Sequence, residues 1–559
     1  MEIQENIARL KKLKTREDVA DILGIKERSL RFFLYKRRPE NMYRTFKIQK
    51  KDGTCRTISA PNDKLKHIQR KLADVLSEVY SPKICAYGFV PGKSIVGNAE
   101  QHSRKRLVLN VDLKDFFDQI HFGRVRGMFM AKPYSLGVEA ATTIAQISCF
   151  NGVLPQGAPS SPIITNMICV PLDNALIRLA KQYDCVYTRY ADDITFSTTK
   201  KCFDPAIVYT DDNGIHIGEK LDTCLKRHSF EVNPSKITLR EKSSRQEVTG
   251  LTVNEFPNVR RSYIRQLRAI LDCCQKYGIY SAAKTYIEKG LCKNNQIKAM
   301  AHEPKYEEAV VYWFRNVLEG KIRYICQVKG DNNLTYLAAA QKFNRIVGET
   351  VFDVSALDRL NELVENSTYV LKYDHENDYL QGSAFLVDKL GLFTSFHVTE
   401  TGMIFKVLKV GYTVGNFGAI CNEINMISSD RDIDYAVYRP PFSIEGLRPI
   451  QLGNSQNIKI GDQVTLVGYP KYTDGDSATV QTCYVTSMRS YMGAPFWTVS
   501  GRIAHGASGG VVLDKDLKAI GIIKGGVDSL EEDETNDYQG FVPINLAVDH
   551  MRQLLYESV

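Results

Sequence analysis

This 559-residue chain lacks the features that carry a protein into or across a membrane. No apolar run approaches the roughly 20 residues a spanning helix needs, and the polar opening MEIQENIARLKKLK is unlike a secretory leader. The 13 cysteines include no CxxC pair and no Cys/His metal spacing. They read as reduced thiols of a cytoplasmic protein with no membrane partner. Internal repeats and low-complexity linkers are also missing, so the length must be divided among several compact domains. Hydrophobic residues at 43% and charged residues at 25% are what globular domains carry.

The net charge of +9 hides a split. From Asn361 onward there are 15 Lys and Arg against 25 Asp and Glu, whereas the first 360 residues hold 58 against 39. A basic front suggests a polyanion partner and an acidic back does not, so two parts with different partners are expected. The textures agree with the charge. REDVADILGIKERSLRFFLYKR looks like a helical pair broken at Gly24, and Asp52-Gly53 in KKDGTC marks a basic hairpin. Helix follows in NDKLKHIQRKLADVLSEVY, then a loop through YGFVPGKSIVGNAEQH. Residues from about 263 to 347 are helical and basic, and near Val364 the pattern changes to short strands between Gly, Asn and Asp turns.

The stretch VYTRYADDITFS alternates bulky and polar residues on both sides of Asp192-Asp193, which places the acidic pair at a hairpin turn. Adjacent carboxylates repel unless a cation lies between them, and magnesium is a hard, oxygen-seeking choice. A lone Asp-Asp would be an ordinary acidic turn. Arg106–Asp112 is a second strand, and its apolar run ends on an acid. If these strands pair, Asp112, Asp192 and Asp193 converge and can hold two magnesium ions roughly 3.5–4 Å apart, as nucleotidyl transfer requires.

VDLKDFFDQI, LPQGAPSSP and YADD, followed in order by Pro234-Ser235-Lys236 and Val248-Thr249-Gly250-Leu251, resemble the motifs of reverse transcriptases. Asn98-Ala99-Glu100-Gln101-His102 and the Val-Thr-Gly element narrow the resemblance to bacterial retron enzymes over roughly residues 1–350. The resemblance implies an α+β right hand, with fingers and palm over residues 1–260 and a helical thumb and connector over 261–360. It implies Mg2+, dNTPs, and a cognate structured non-coding RNA that serves as template and primer for a single-stranded DNA product. It makes Asp112, Asp192 and Asp193 the metal ligands, with the Leu113 carbonyl beside them. Phe117 matches the position that excludes a ribose 2′-hydroxyl. Gln156 and Gly157 match those that approach the nucleotide, and Arg56 with Lys50 or Lys51 those that grip its triphosphate. No RNase H-like acidic set is present.

In the back half, GSAFLV and GLFTSFHVT read as strands with His397 just beyond the second. DRDIDYAVYRP sets Asp434 before a short strand, and GRIAHGASGGVVLD holds Ser508 in a glycine-flanked turn. A serine hydroxyl needs an imidazole to take its proton and a carboxylate to orient that imidazole. Gly506, Gly509 and Gly510 let backbone N–H groups face a developing oxyanion. The order His, Asp, Ser, with VGYP at 467–470, resembles trypsin-like serine proteases over about 361–559. That family implies an all-β fold of two six-stranded barrels, with His397 as base, Asp434 as orienter and Ser508 as nucleophile. Its oxyanion hole would be the N–H groups of Gly506 and Ser508, and its substrate an unknown protein. Two departures stand out. Only Cys421 and Cys483 occur here, and Ala507 replaces the Asp that captures a new N-terminus in zymogens. Arg502, six before Ser508, and Lys524 either form a basic pocket favouring an acidic residue before the cut or lie at the surface. The reading is a retron-type polymerase fused to a serine protease effector, with anti-phage defence implied by the resemblance. The alternative is a polymerase with a non-catalytic protease-fold module.

Overall fold

The computed structural model describes residues 2–49, 55–375, 378–399, 406–409, 418–419, 424–473, 476–491, 493–525 and 539–557. Lys50, Lys51, the Asp52-Gly53 turn and Cys421 lie outside them. The chain divides into two compact units, Met1–Arg260 and Arg261–Val559.

In the first unit, a four-stranded antiparallel sheet runs in the order Val186–Tyr190, Asp193–Thr198, Leu107–Asp112, Thr238–Glu241. Leu107–Val111 is apolar on both faces except at Asn110 because this strand is central and covered on both sides. Asn110 is satisfied there, accepting from Thr195 Oγ1 and donating to the Glu247 carbonyl. Ser161–Gln182 packs on the sheet side of the core. It is long and apolar enough to cross a membrane by length and composition, yet it is mostly buried in the unit. It also carries Asp173, fully buried against Arg189 at 2.8 Å. That ion pair marks it as a core helix, since a buried charge needs its partner inside the same protein. The hairpin Tyr43–Gln49/Cys55–Pro61 and the helices Arg16–Ile22 and Glu27–Tyr35 complete the unit. The segment expected as a loop contains a short helix, Ile95–Glu100, whose first turn is capped by the Ser94 hydroxyl accepting from Gly97 N–H.

The second unit begins with helices whose core joins Leu267, Phe314, Leu318, Ile322, Leu337 and Phe343. The helix Ser355–Ser367 then leads directly into strand Thr368–His375, and its Leu360 and Val364 pack with Phe385, Val437, Val467 and Val511 of the β region. Position 360 therefore falls inside a helix that shares the core of the β region. The β region holds one closed six-stranded barrel, in the order 463–468, 479–491, 494–499, 540–543, 519–524, 511–513. Beside it the described strands from Thr368 to Tyr438 form one seven-stranded sheet that does not close. Residues 410–417 and 420–423, which flank the edge strand 418–419 of that sheet, lie outside the described residues, so among the described residues one barrel is closed.

Candidate active sites

The acidic site is built by strand register. Asp112, the last residue of its strand, lies directly opposite Asp193, the first of its own, so their side chains share a face. Tyr190 pairs with Asp193, leaving Ala191 and Asp192 as the two-residue turn. Ala191 adopts φ 56°, a left-handed conformation that costs free energy and is found where surrounding contacts impose it. Those contacts are visible: Arg189 donates to the Ala191 carbonyl, to Asn166 Oδ1 and twice to Asp173. Leu113 N–H donates to the Asp192 carbonyl at 3.1 Å, tying the turn to the end of the first strand. The carbonyl of Leu113 accepts no backbone hydrogen bond among the described residues.

Three carboxylates so placed repel one another. Burial, then Asp192 and Asp112, push the Asp193 carboxyl up to about 6. Burial also raises Asp192, with Asp112 adding to it. Lys236 Nζ donates to both Asp112 oxygens, at 3.0 and 2.9 Å. Among the described residues no three Asp, Glu, His or Cys side chains lie close enough to hold one metal ion between them. The Lys236 ammonium is instead the cation seated on Asp112. The donor set is nonetheless hard oxygen, three carboxylates against the one ammonium that pairs with Asp112, which is what a divalent cation such as magnesium takes.

A cleft opens above these acids. It is lined by Arg56, Ser59, Asp112, Leu113, Gln156 and Asp192, among others. Gly157 has φ 115°, and a Cβ there would stand 3.0 Å from Ile58 Cγ2 and 3.1 Å from the Ser59 carbonyl. Its glycine therefore serves close approach to strand Cys55–Pro61, where Ser59 N–H donates to the Gln156 carbonyl. Phe117 does not line this cleft; it is half-buried with its ring edge-on to Phe116. Phe116 lines it instead, stacked on Phe230.

His102 was legible only as part of a motif. It is fully buried, its Nδ1 on Ser197 Oγ and its Nε2 on Thr188 Oγ1, both at 2.7 Å. It therefore bridges the two strands that carry the acidic turn. Burial, with Lys105 nearby, holds it at about 3, so it is a neutral bridge.

The serine site lies in the second unit. His397 sits on the short helix Phe396–Thr399 just after strand Gly391–Thr394, and Asp434 just before strand Tyr435–Tyr438. These two strands pair, which brings the residues together. His397 N–H donates to Asp434 Oδ1 at 3.0 Å, and its Nδ1 lies 2.9 Å from both carboxylate oxygens. Asp434 is nearly buried; burial opposes its charge, but His397 and Lys524 together hold its carboxyl below the usual range.

Ser508 is buried in the turn before strand Val511–Leu513, and Ser383 N–H donates to its carbonyl. The N–H groups of Gly506 and Ser508 find no backbone acceptor among the described residues. Gly506 has φ 89° and Gly509 φ 80°. A Cβ on Gly509 would meet Thr394 Oγ1 at 2.2 Å and the Ser383 carbonyl at 2.3 Å. No hydrogen bond joins His397 to Ser508 in this structure; such bonds tighten when substrate binds. Ala507 packs in an apolar cluster with Ile503 and Val512, a place unsuited to a carboxylate. Arg502 is exposed, and Lys524 Nζ lies 2.9 Å from Asp434 Oδ2.

Comparison with known proteins agrees with both halves. Residues 48–253 match the reverse transcriptase (RNA-dependent DNA polymerase) family model, and residues 382–522 match that of the trypsin-like peptidase domain. The retron Mx162 reverse transcriptase of Myxococcus xanthus is 35% identical over 287 residues, covering 47% of this chain and 59% of that protein. The retron Ec86 reverse transcriptase of Escherichia coli is 30% identical over 257 residues, covering 45% of this chain and 75% of that one. Among solved structures, the HtrA-type protease AlgW with tripeptide is 22% identical over 36% of this chain and 64% of its own, with a TM-score of 0.30. The chain belongs to the family of retron reverse transcriptases and carries a trypsin-like peptidase domain behind the polymerase region.

Proposed function

We propose that this chain copies a cognate structured non-coding RNA into single-stranded DNA at its acidic site and cleaves a protein at its serine site. The observation that carries the first half is the Asp112–Asp193 register with Asp192 in the adjoining turn. Asp112, Asp192 and Asp193, with the Leu113 carbonyl, are the groups that would hold Mg2+. When bound, that ion supplies a Lewis acid that eases deprotonation of the attacking hydroxyl and neutralises the leaving pyrophosphate. Arg56 offers a fixed positive charge to the triphosphate of a dNTP at the cleft wall, and Gln156 a polar contact. Phe117, edge-on to the cleft-lining Phe116, is the side chain that would exclude a 2′-hydroxyl. Residues 1–260 are read as fingers and palm, and 261–360 as thumb and connector. Asp192→Asn should abolish DNA synthesis while RNA binding persists; extension at the wild-type rate by that variant would remove this reading.

At the serine site, His397 takes the proton from Ser508 Oγ as the oxygen attacks the scissile carbonyl carbon, and then returns it to the leaving amine. Asp434 orients the ring through Nδ1, and the N–H groups of Gly506 and Ser508 face the oxyanion. In anti-phage defence, the polymerase product would restrain this second activity until it is disturbed. Labelling of Ser508 by a fluorophosphonate tests the protease, and an inert Ser508 would leave a binding module.

A further inference from the structure

Asp434 accepts more than an imidazole. Its two carboxylate oxygens receive His397 N–H, His397 Nδ1 and Lys524 Nζ, all within 3.0 Å. Lys524 is not a surface partner swinging past: its side chain is 16% exposed and that of Asp434 is 3% exposed. The backbone beside it explains its place. Gly509 N–H and Ser395 Oγ both donate to the Ile523 carbonyl, and Ile523 N–H donates to the Gly510 carbonyl. One residue of strand Ala519–Lys524 thus fastens the turn that carries Ser508 and the segment that precedes His397. The next residue reaches the third member of the group. A lysine on the orienting carboxylate also has an electrostatic consequence, because its charge has the same sign as an imidazolium.

We propose that Lys524 is a positioning residue of the serine site: its ammonium fixes the Asp434 carboxylate in its ionised, bidentate orientation and opposes protonation of the adjacent imidazole. This rests on the protease reading and deepens it. Charged and titratable groups that the described contacts place on His397, its carboxylate or its own short helix are Asp434, Lys524 and Tyr438, which hydrogen-bonds to Thr399. Of these, Lys524 alone pairs a fixed positive charge with the carboxylate that His397 uses. Removing it leaves the carboxylate wholly to the ring, so the ring is more easily protonated and is lost as a base at a higher pH.

The test follows the rate of fluorophosphonate labelling of Ser508 in the full chain against pH, for wild type, Lys524→Met and Lys524→Arg. In Lys524→Met the acid limb should move up by about one pH unit, making labelling on that limb about tenfold slower. Lys524→Arg keeps the charge and should keep the wild-type limb. A purely structural role would lower the plateau without moving the limb, and an unmoved limb overturns the proposal. If wild type is not labelled at any pH while Ser508→Ala is equally inert, the protease reading itself has failed. Should Lys524→Met not fold, Lys524→Gln, uncharged and of similar length, carries the same expectation.

Discussion

Asp173→Asn is the sharpest perturbation of the acidic turn that leaves the carboxylates there untouched. Asp173 Oδ1 accepts from Tyr187 Oη and Arg189 Nε, and Oδ2 from Arg189 Nη2, each at 2.8 Å, with both charged side chains fully buried. Substitution leaves a guanidinium charged and buried without its counter-ion. Breaking one side of such a pair costs about 3–5 kcal/mol; the lower end applies because the amide oxygen still accepts one hydrogen bond. Since Arg189 also holds the Ala191 carbonyl, the cost falls on the hairpin 186–198. At about 1.4 kcal/mol per decade, its amides should open on the order of 100-fold more often. Hydrogen exchange read by mass spectrometry on peptides covering 186–198 measures this directly. Both tryptophans, Trp313 and Trp497, lie in the second unit. Their unchanged fluorescence would show that unit intact. Exchange within threefold of wild type across 186–198 would refute the reasoning.

Two further outcomes follow from single side chains. His102 is held at about 3 in the fold against 6.5 when free, so its stabilising effect is complete above 6.5 and is lost as pH falls toward 3. Asp193, raised to about 6 in the same hairpin, works the other way over this range, so the effect is read as a difference: between pH 7 and 5 wild type should lose about 2 kcal/mol of hairpin protection relative to His102→Gln, and an equal pH dependence in the two proteins contradicts it. Gly509→Ala should abolish fluorophosphonate labelling and leave RNA-templated synthesis intact, because the new Cβ collides with Thr394 and Ser383 at a φ of 80°. Labelling at the wild-type rate would show that the serine turn tolerates what the geometry forbids.

The two sites were unequally legible in the sequence. Alternation around YADD, and an apolar strand ending on Asp112, were enough to expect the acids on paired strands, since register is a backbone property that local pattern encodes. The chain order of His397, Asp434 and Ser508 carried the second site in the same way. What the sequence concealed are contacts between residues far apart in the chain. Asp173 reads as one polar residue in an apolar helix, and only the fold shows Arg189 across from it. Lys524 reads as a basic residue ending a strand, and only the strand-to-turn hydrogen bonds at Ile523 bring it to Asp434.

If Asp112 and the Asp192–Asp193 turn form one nucleotidyl-transfer centre, single-nucleotide incorporation opposite an RNA template, with Mg2+ and a complementary dNTP, should separate wild type from Asp112→Asn. Incorporation by wild type and a loss of at least about a thousandfold in the variant, on the order of 4 kcal/mol in the barrier, is the expected result. A variant that retains incorporation within tenfold of wild type would contradict the account.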